Sequence, residues 1–136
     1  MPTTTQLVIS GQSKPGVLAQ VASILGEAGV NIKAFSAPEV TGTGKLRLLV
    51  ADLDGARSAL KAAKIKFKEE TALLLSLKNQ PGALMDVADV LTRNRINIKC
   101  GYCTPSREGK RAIVVLTVSK TDKALALLRD QSLDEF

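Results

Sequence analysis

The chain has 136 residues, 45% hydrophobic and 24% charged, the composition of a globular protein rather than a disordered or fibrous one. That length suits one ordinary domain or two very small ones, and a core built from half of it would be marginal, so two halves are expected to pack together. The net charge of +6 raises nucleic acid as a partner, but the basic residues are spread along the chain. Their densest run, Lys61, Lys64, Lys66 and Lys68, fits a helix edge and the strand after it, a solvated face. RNA-binding sheets also need stacking aromatics, and the chain offers only Phe35, Phe67, Phe136 and Tyr102. No nucleic-acid partner is expected. Met1 is followed by Pro-Thr-Thr-Thr, without a basic start or an apolar run, so a cytoplasmic protein with no membrane span is expected.

In chain order, Gln6–Ile9 is an apolar run of strand length. Pro15-Gly16 then opens a helix in which Leu18, Val21, Ala22 and Leu25 form a stripe at i, i+3, i+4, i+7, facing a sheet. Proline suits the first turn, and Gly29 stops the helix. The spacing predicts a second strand over Asn31–Pro38, a hairpin at Gly42 and Gly44, and a third strand over Lys45–Ala51. A helix follows over Ala56–Ala63, with Asp54 as its expected cap, and a fourth strand over Ile65–Glu69.

The same order then recurs. Displaced by 66 residues, Thr5–Ser36 aligns with Thr71–Tyr102 without a gap, and 12 of 32 positions are identical. Pro15/Pro81, Gly16/Gly82, Leu18/Leu84, Asn31/Asn97 and Ile32/Ile98 are among them. The second half reads as a strand over Ala72–Leu77, a helix striped by Leu84, Val87, Ala88 and Leu91 and stopped at Asn94, and strands over Asn97–Thr104 and Arg111–Val118. A helix over Lys120–Arg129, capped by Ser119, ends it, leaving only Ser132–Phe136 for a last strand. The boundary falls near Glu70, giving modules 1–70 and 71–136. Each is a βαββαβ unit of ferredoxin-like α+β type, an antiparallel sheet with helices on one face.

The stretches SKPGVLAQVASILGEAGVNI and NQPGALMDVADVLTRNRINI resemble the signature of ACT domains, the amino-acid-sensing modules of metabolic enzymes. The resemblance implies a small free-standing tandem ACT protein that binds a small amino acid or analogue between modules. Its ligand would sit between the strand-to-helix loop of one module and the Asn-Ile strand start of another. The expected ligand-binding residues are therefore Ser13, Lys14, Pro15, Gly16, Val17, Leu18, Asn31 and Ile32 in the first half. Asn79, Gln80, Pro81, Gly82, Ala83, Leu84, Asn97 and Ile98 are their counterparts in the second. The physics agrees with that choice: a helix opening leaves backbone N–H donors unpaired and carries about half a positive charge, which suits a carboxylate. The chain has no histidine, whereas some serine-binding relatives carry one where Gly11 and Leu77 stand.

Other motifs carry less. Cys100 and Cys103 form a CxxC, but residues three apart on a strand point to opposite faces, so neither redox nor zinc chemistry is expected of them. Asp86 and Asp89 fall on the polar side of their helix. With no nucleophile-and-base set, the reading is of a non-enzymatic regulatory protein without cofactor or metal, forming a homodimer or higher homo-oligomer. The alternative is a regulatory subunit that controls a separate metabolic enzyme by protein contact.

Overall fold

A computed structural model describes residues 3–12, 16–37, 43–106 and 108–131. Gln6–Glu70 forms one compact unit, and Thr71–Phe136 with Met1–Thr5 forms the other. The first contains β1 (Thr3–Gln12), α1 (Val17–Glu27), β2 (Ile32–Ser36), β3 (Thr43–Val50) and α2 (Leu53–Ala62). It runs into β4 (Lys68–Lys78), which opens the second unit, followed by α3 (Ala83–Arg93), β5 (Ile98–Pro105), β6 (Arg111–Val118) and α4 (Thr121–Leu127). A single turn of 3₁₀ helix covers Arg129–Gln131. The ferredoxin-like order is thus present twice, with helices and antiparallel strands where the hydrophobic periods put them.

In the first unit β3 lies between β2 and β1, pairing Leu7 with Leu48 and Ile9 with Leu46. These residues share one face of the sheet with Val21 and Leu25 of α1 and Ala56 and Leu60 of α2, all in a single core. In the second, β6 lies between β4 and β5, and Leu73, Leu75, Val114 and Leu116 meet Val87, Leu91, Ala124 and Leu128. Both helices of each unit therefore cover one face, as period-2 strands and period-3.6 helices require. Val8, Leu49, Leu74 and Val115 alternate with these core residues and are buried as well.

Several local expectations are corrected. Asp52, not Asp54, caps α2: its Oδ1 accepts from the Gly55 N–H at 2.9 Å. The helix begins earlier than its apolar residues suggest because that cap fixes it. Lys120 is the cap residue of α4, with no side-chain cap bond, and Ser119 Oγ instead accepts from the Asn97 N–H at 3.0 Å. Asn94 caps α3, but the left-handed residue that turns the chain is Arg95 at φ 58°, the repeat counterpart of Gly29 at φ 74°. The expected fourth strand over Ile65–Glu69 does not stand apart; only from Lys68 does the chain enter a strand, as the start of β4. The stripe expectation is half met: Val21, Leu25, Val87 and Leu91 are buried, whereas Leu18 is 37% and Leu84 57% exposed. The hairpin glycine Gly42 and the segment Ser132–Phe136 lie outside the described residues, and no described helix is long and apolar enough to cross a membrane.

At the end of the first unit Gln6, fully buried, donates to Glu70 Oε1 at 2.8 Å, and Arg47 Nε reaches the same oxygen at 3.0 Å. Arg57 holds Glu69 through Nε–Oε2 at 3.0 Å and a second, shorter bond. Hydrogen bonding from Arg57 draws the Glu69 carboxyl below its ordinary value of 4.5. A carboxylate with a depressed folded pKa stabilises fully above its unfolded pKa and loses that contribution as pH falls through the folded one. Between about pH 5 and pH 3 the urea midpoint of the wild type should therefore fall more steeply than that of Arg57→Met. Equal slopes would remove the pair from the acid response.

Candidate ligand-binding site

At the end of β4 the chain turns through Asn79–Gly82 into α3. Asn79 anchors this loop to the β5–β6 hairpin: its N–H donates to the Lys110 carbonyl and its Nδ2 to that of Gly109, both at 3.0 Å. Gly82 is the cap residue of α3 at φ 90°, ψ −15°, and Gly16 does the same for α1 at φ 94°, ψ −8°. The glycine, not the proline, makes the turn, because only glycine enters the left-handed region without strain. Pro81 accordingly precedes the cap instead of occupying the first helical position. No side chain caps the opening of α3. The Ala83 N–H leans back on the Gln80 carbonyl at 3.4 Å, and the Asp86 N–H closes the first regular bond, to Gly82.

Beside this opening a crevice of about 430 Å³ runs between α3 and the edge strand β5. Asn79, Gln80, Ala83, Leu84 and Ala88 form its helix wall; Ile98, Gly101, Tyr102 and Cys103 form the other, and Ala112, Val114 and Leu116 lie at its floor. The lining is mostly apolar, with amide donors and two carboxamides at one end, and the volume lies in the range of small-molecule sites. The exposed half of the α3 stripe thus faces this crevice, while Val87 and Leu91 face the core.

Gly101 opens the wall. A Cβ there would meet Leu116 Cδ2 at 2.8 Å. At the equivalent place in the first unit stands Phe35, paired with Leu48 on the helix-bearing side and 52% exposed. The residues that shape the crevice and escaped the sequence reading are Gly101, Ala88, Cys103 and Leu116. The available signal was the 66-residue offset, which sets Gly101 against Phe35, an exchange from the largest filler to none.

Of the remaining expected residues in the second unit, Pro81 and Gly82 are exposed in the turn. Asn97 is not a wall of the crevice. It precedes β5 at the end of the sheet where Ile98 pairs with Val118, away from the end where Lys78 pairs with Arg111 and Pro105 with Ala112. Its carbonyl accepts from the Ser119 N–H at 2.9 Å, as that of Asn31 does from Ala51. In the first unit Gly16, Leu18 and Asn31 are exposed and Val17 and Ile32 half-buried. Ser13, Lys14 and Pro15 lie outside the described residues. Cys100 pairs with Thr117 and Cys103 with Val114, so the two thiols are on opposite faces. Asp86 and Asp89 are exposed, and Asp89 pairs with Arg93 at 3.1 Å.

A smaller groove of about 330 Å³ lies on the other side of α3, where Lys78 and Arg111 are offset by Asp86 and Asp130. Arg111 there is engaged by Ser76, through Nε to Oγ at 2.7 Å and Nη2 to the carbonyl at 2.8 Å. Two carboxylates in this groove, Asp86 and Asp130, oppose a ligand carboxylate, whereas the described lining of the apolar crevice carries none.

Comparison with known proteins bears on both units. Residues 5–65 match the ACT domain, and residues 73–132 match the AHAS small subunit-like ACT domain. Among solved structures, protein BT0572 from Bacteroides thetaiotaomicron is 30% identical, with a TM-score of 0.84 over 94% of this chain and 88% of that one. The regulatory subunit of aspartate kinase from Thermus thermophilus is 20% identical, with a TM-score of 0.63 over 92% and 88%. Its counterpart from Thermus flavus is 19% identical, with a TM-score of 0.61 over the same shares. At those identities the last two share the fold. No match is found among curated protein sequences.

Proposed function

Because the chain belongs to the ACT family, with two ACT domains in tandem, we propose that it is a non-catalytic regulatory protein that binds a small amino acid or close analogue beside α3. The observation that carries this reading is the crevice of about 430 Å³ with an uncapped helix opening at its polar end. A ligand carboxylate takes the first-turn amides, where the helix dipole favours negative charge. Asn79 and Gln80 supply carboxamide oxygens for an ammonium group, and Leu84, Ile98 and Gly101 receive an apolar side chain.

The open edge of β5 supports a site completed by a second ACT module. A second copy laid antiparallel along β5 brings its own Asn97 toward the polar end of this crevice, which its own chain cannot do. Asn97→Ala is then expected to weaken binding by about 1–3 kcal/mol in calorimetric titration, with the fold intact; unchanged affinity would take Asn97 out of the site. A ligand bridging two copies stabilises that assembly in proportion to its preference for it, and this is the regulatory output.

The match of the second unit to an AHAS small subunit-like domain favours one further reading, a subunit that governs a separate enzyme. Recovery of a catalytic chain by the tagged protein, released or tightened by the amino acid, would support it over a free-standing sensor.

A further inference from the structure

The first unit carries a cleft of its own, unrelated to either helix opening. About 720 Å³ in volume, it lies between Val8 and Ser10 of β1 and the segment leading from α2 into β4. Val8, Ile65 and Phe67 make it apolar, and Lys61, Lys66 and Lys68 surround it. All three lysines are exposed, and among the described residues none forms a salt bridge. Among the described residues the only lining carboxylate is that of Glu69, which Arg57 already engages. Lys61 also sits in the last turn of α2, where a cation offsets the helix dipole. That role is particular to Lys61.

From this arrangement we infer that the cleft is a docking surface for an extended, acidic polypeptide segment whose apolar and acidic side chains alternate. Charge complementarity selects the occupant: three lysines around one neutralised carboxylate attract anions and reject cationic partners. Along the segment leading into β4 the apolar Ile65 and Phe67 alternate with Lys66 and Lys68, so a partner segment that alternates apolar and acidic side chains offers each its complement. Nucleic acid fits less well, since Phe67 is half-buried and offers no stacking platform. This surface is independent of whether the crevice beside α3 binds an amino acid.

The test is fluorescence anisotropy of the full-length chain with a labelled decapeptide alternating aspartate and isoleucine. Binding is expected to weaken roughly tenfold in Lys66→Gln/Lys68→Gln and with a peptide carrying serine for isoleucine, and to fall with added salt. Lys99→Gln/Lys120→Gln, which removes the same charge from the other unit, is expected to stay within about twofold. Equal losses in the two double variants would reduce the effect to net charge and overturn the proposal. So would an absence of peptide binding, or an oligothymidylate bound more tightly with the same variant dependence, which would make the cleft a polyanion site.

Discussion

Leu91→Ala is expected to lower the stability of the second unit by about 2–5 kcal/mol, the range for emptying a fully enclosed leucine site. Leu91 is fully buried and, with Val87, is the part of the α3 stripe that meets Leu73, Leu75 and Leu116. Leu84, one and two turns earlier on the same helix, is 57% exposed, so Leu84→Ala should stay within about 0.5 kcal/mol of wild type. Its effect should appear in ligand affinity instead, because Leu84 lines the crevice. The chain has one tyrosine and no tryptophan, so Tyr102 emission during urea unfolding reports on the second unit, with circular dichroism following both. A loss of under about 1 kcal/mol in Leu91→Ala would mean that α3 is not anchored as described.

Gly82→Ala is expected to cost about 1–3 kcal/mol, entirely through the backbone. A Cβ at Gly82 meets nothing within 4 Å, so crowding plays no part; the cost comes from φ 90°, where L-residues are strained. Relaxing that strain rotates the first-turn amides, and ligand affinity should fall roughly tenfold as their aim is lost. Gly26 is the control. Its Cβ would also meet nothing within 4 Å, but it lies inside α1 with no positive φ. Gly26→Ala should therefore stabilise by about 0.4–1 kcal/mol. If both substitutions moved the urea midpoint the same way, the left-handed cap would not be the cause.

How much of this was legible before the structure depends on how local each signal was. The stripe Val21–Leu25 and its copy Val87–Leu91 repeat at helical spacing, and Arg111–Val118 reads as a strand without ambiguity, so the elements and their order followed. Caps were harder, because Asp52 and Asp54 are both plausible by type and only the backbone decides which oxygen reaches an amide. Ile65–Glu69 has strand-like composition, yet its regular extension begins only at Lys68, where the chain enters β4. The helix openings were visible as Pro-Gly pairs, although it is the glycine's left-handed φ that makes the turn. The crevice was not visible in any single motif. It arises because Gly101 is missing the side chain that Phe35 carries, and a void is a property of two walls that lie apart in sequence. The family resemblance groups Asn97 with Gly82, whereas chain direction puts them at opposite ends of one sheet.

The proposed amino-acid site is the crevice beside α3. Calorimetric titration of the full-length chain with apolar and small polar L-amino acids, repeated with Gly101→Phe, tests it most directly. The first repeat tolerates phenylalanine at this position, and the nearest obstacle is the flexible end of Leu116. The expected result is saturable binding of at least one amino acid by the wild type and none by a folded Gly101→Phe protein. Binding of equal strength in both would place the ligand elsewhere and contradict the proposed site.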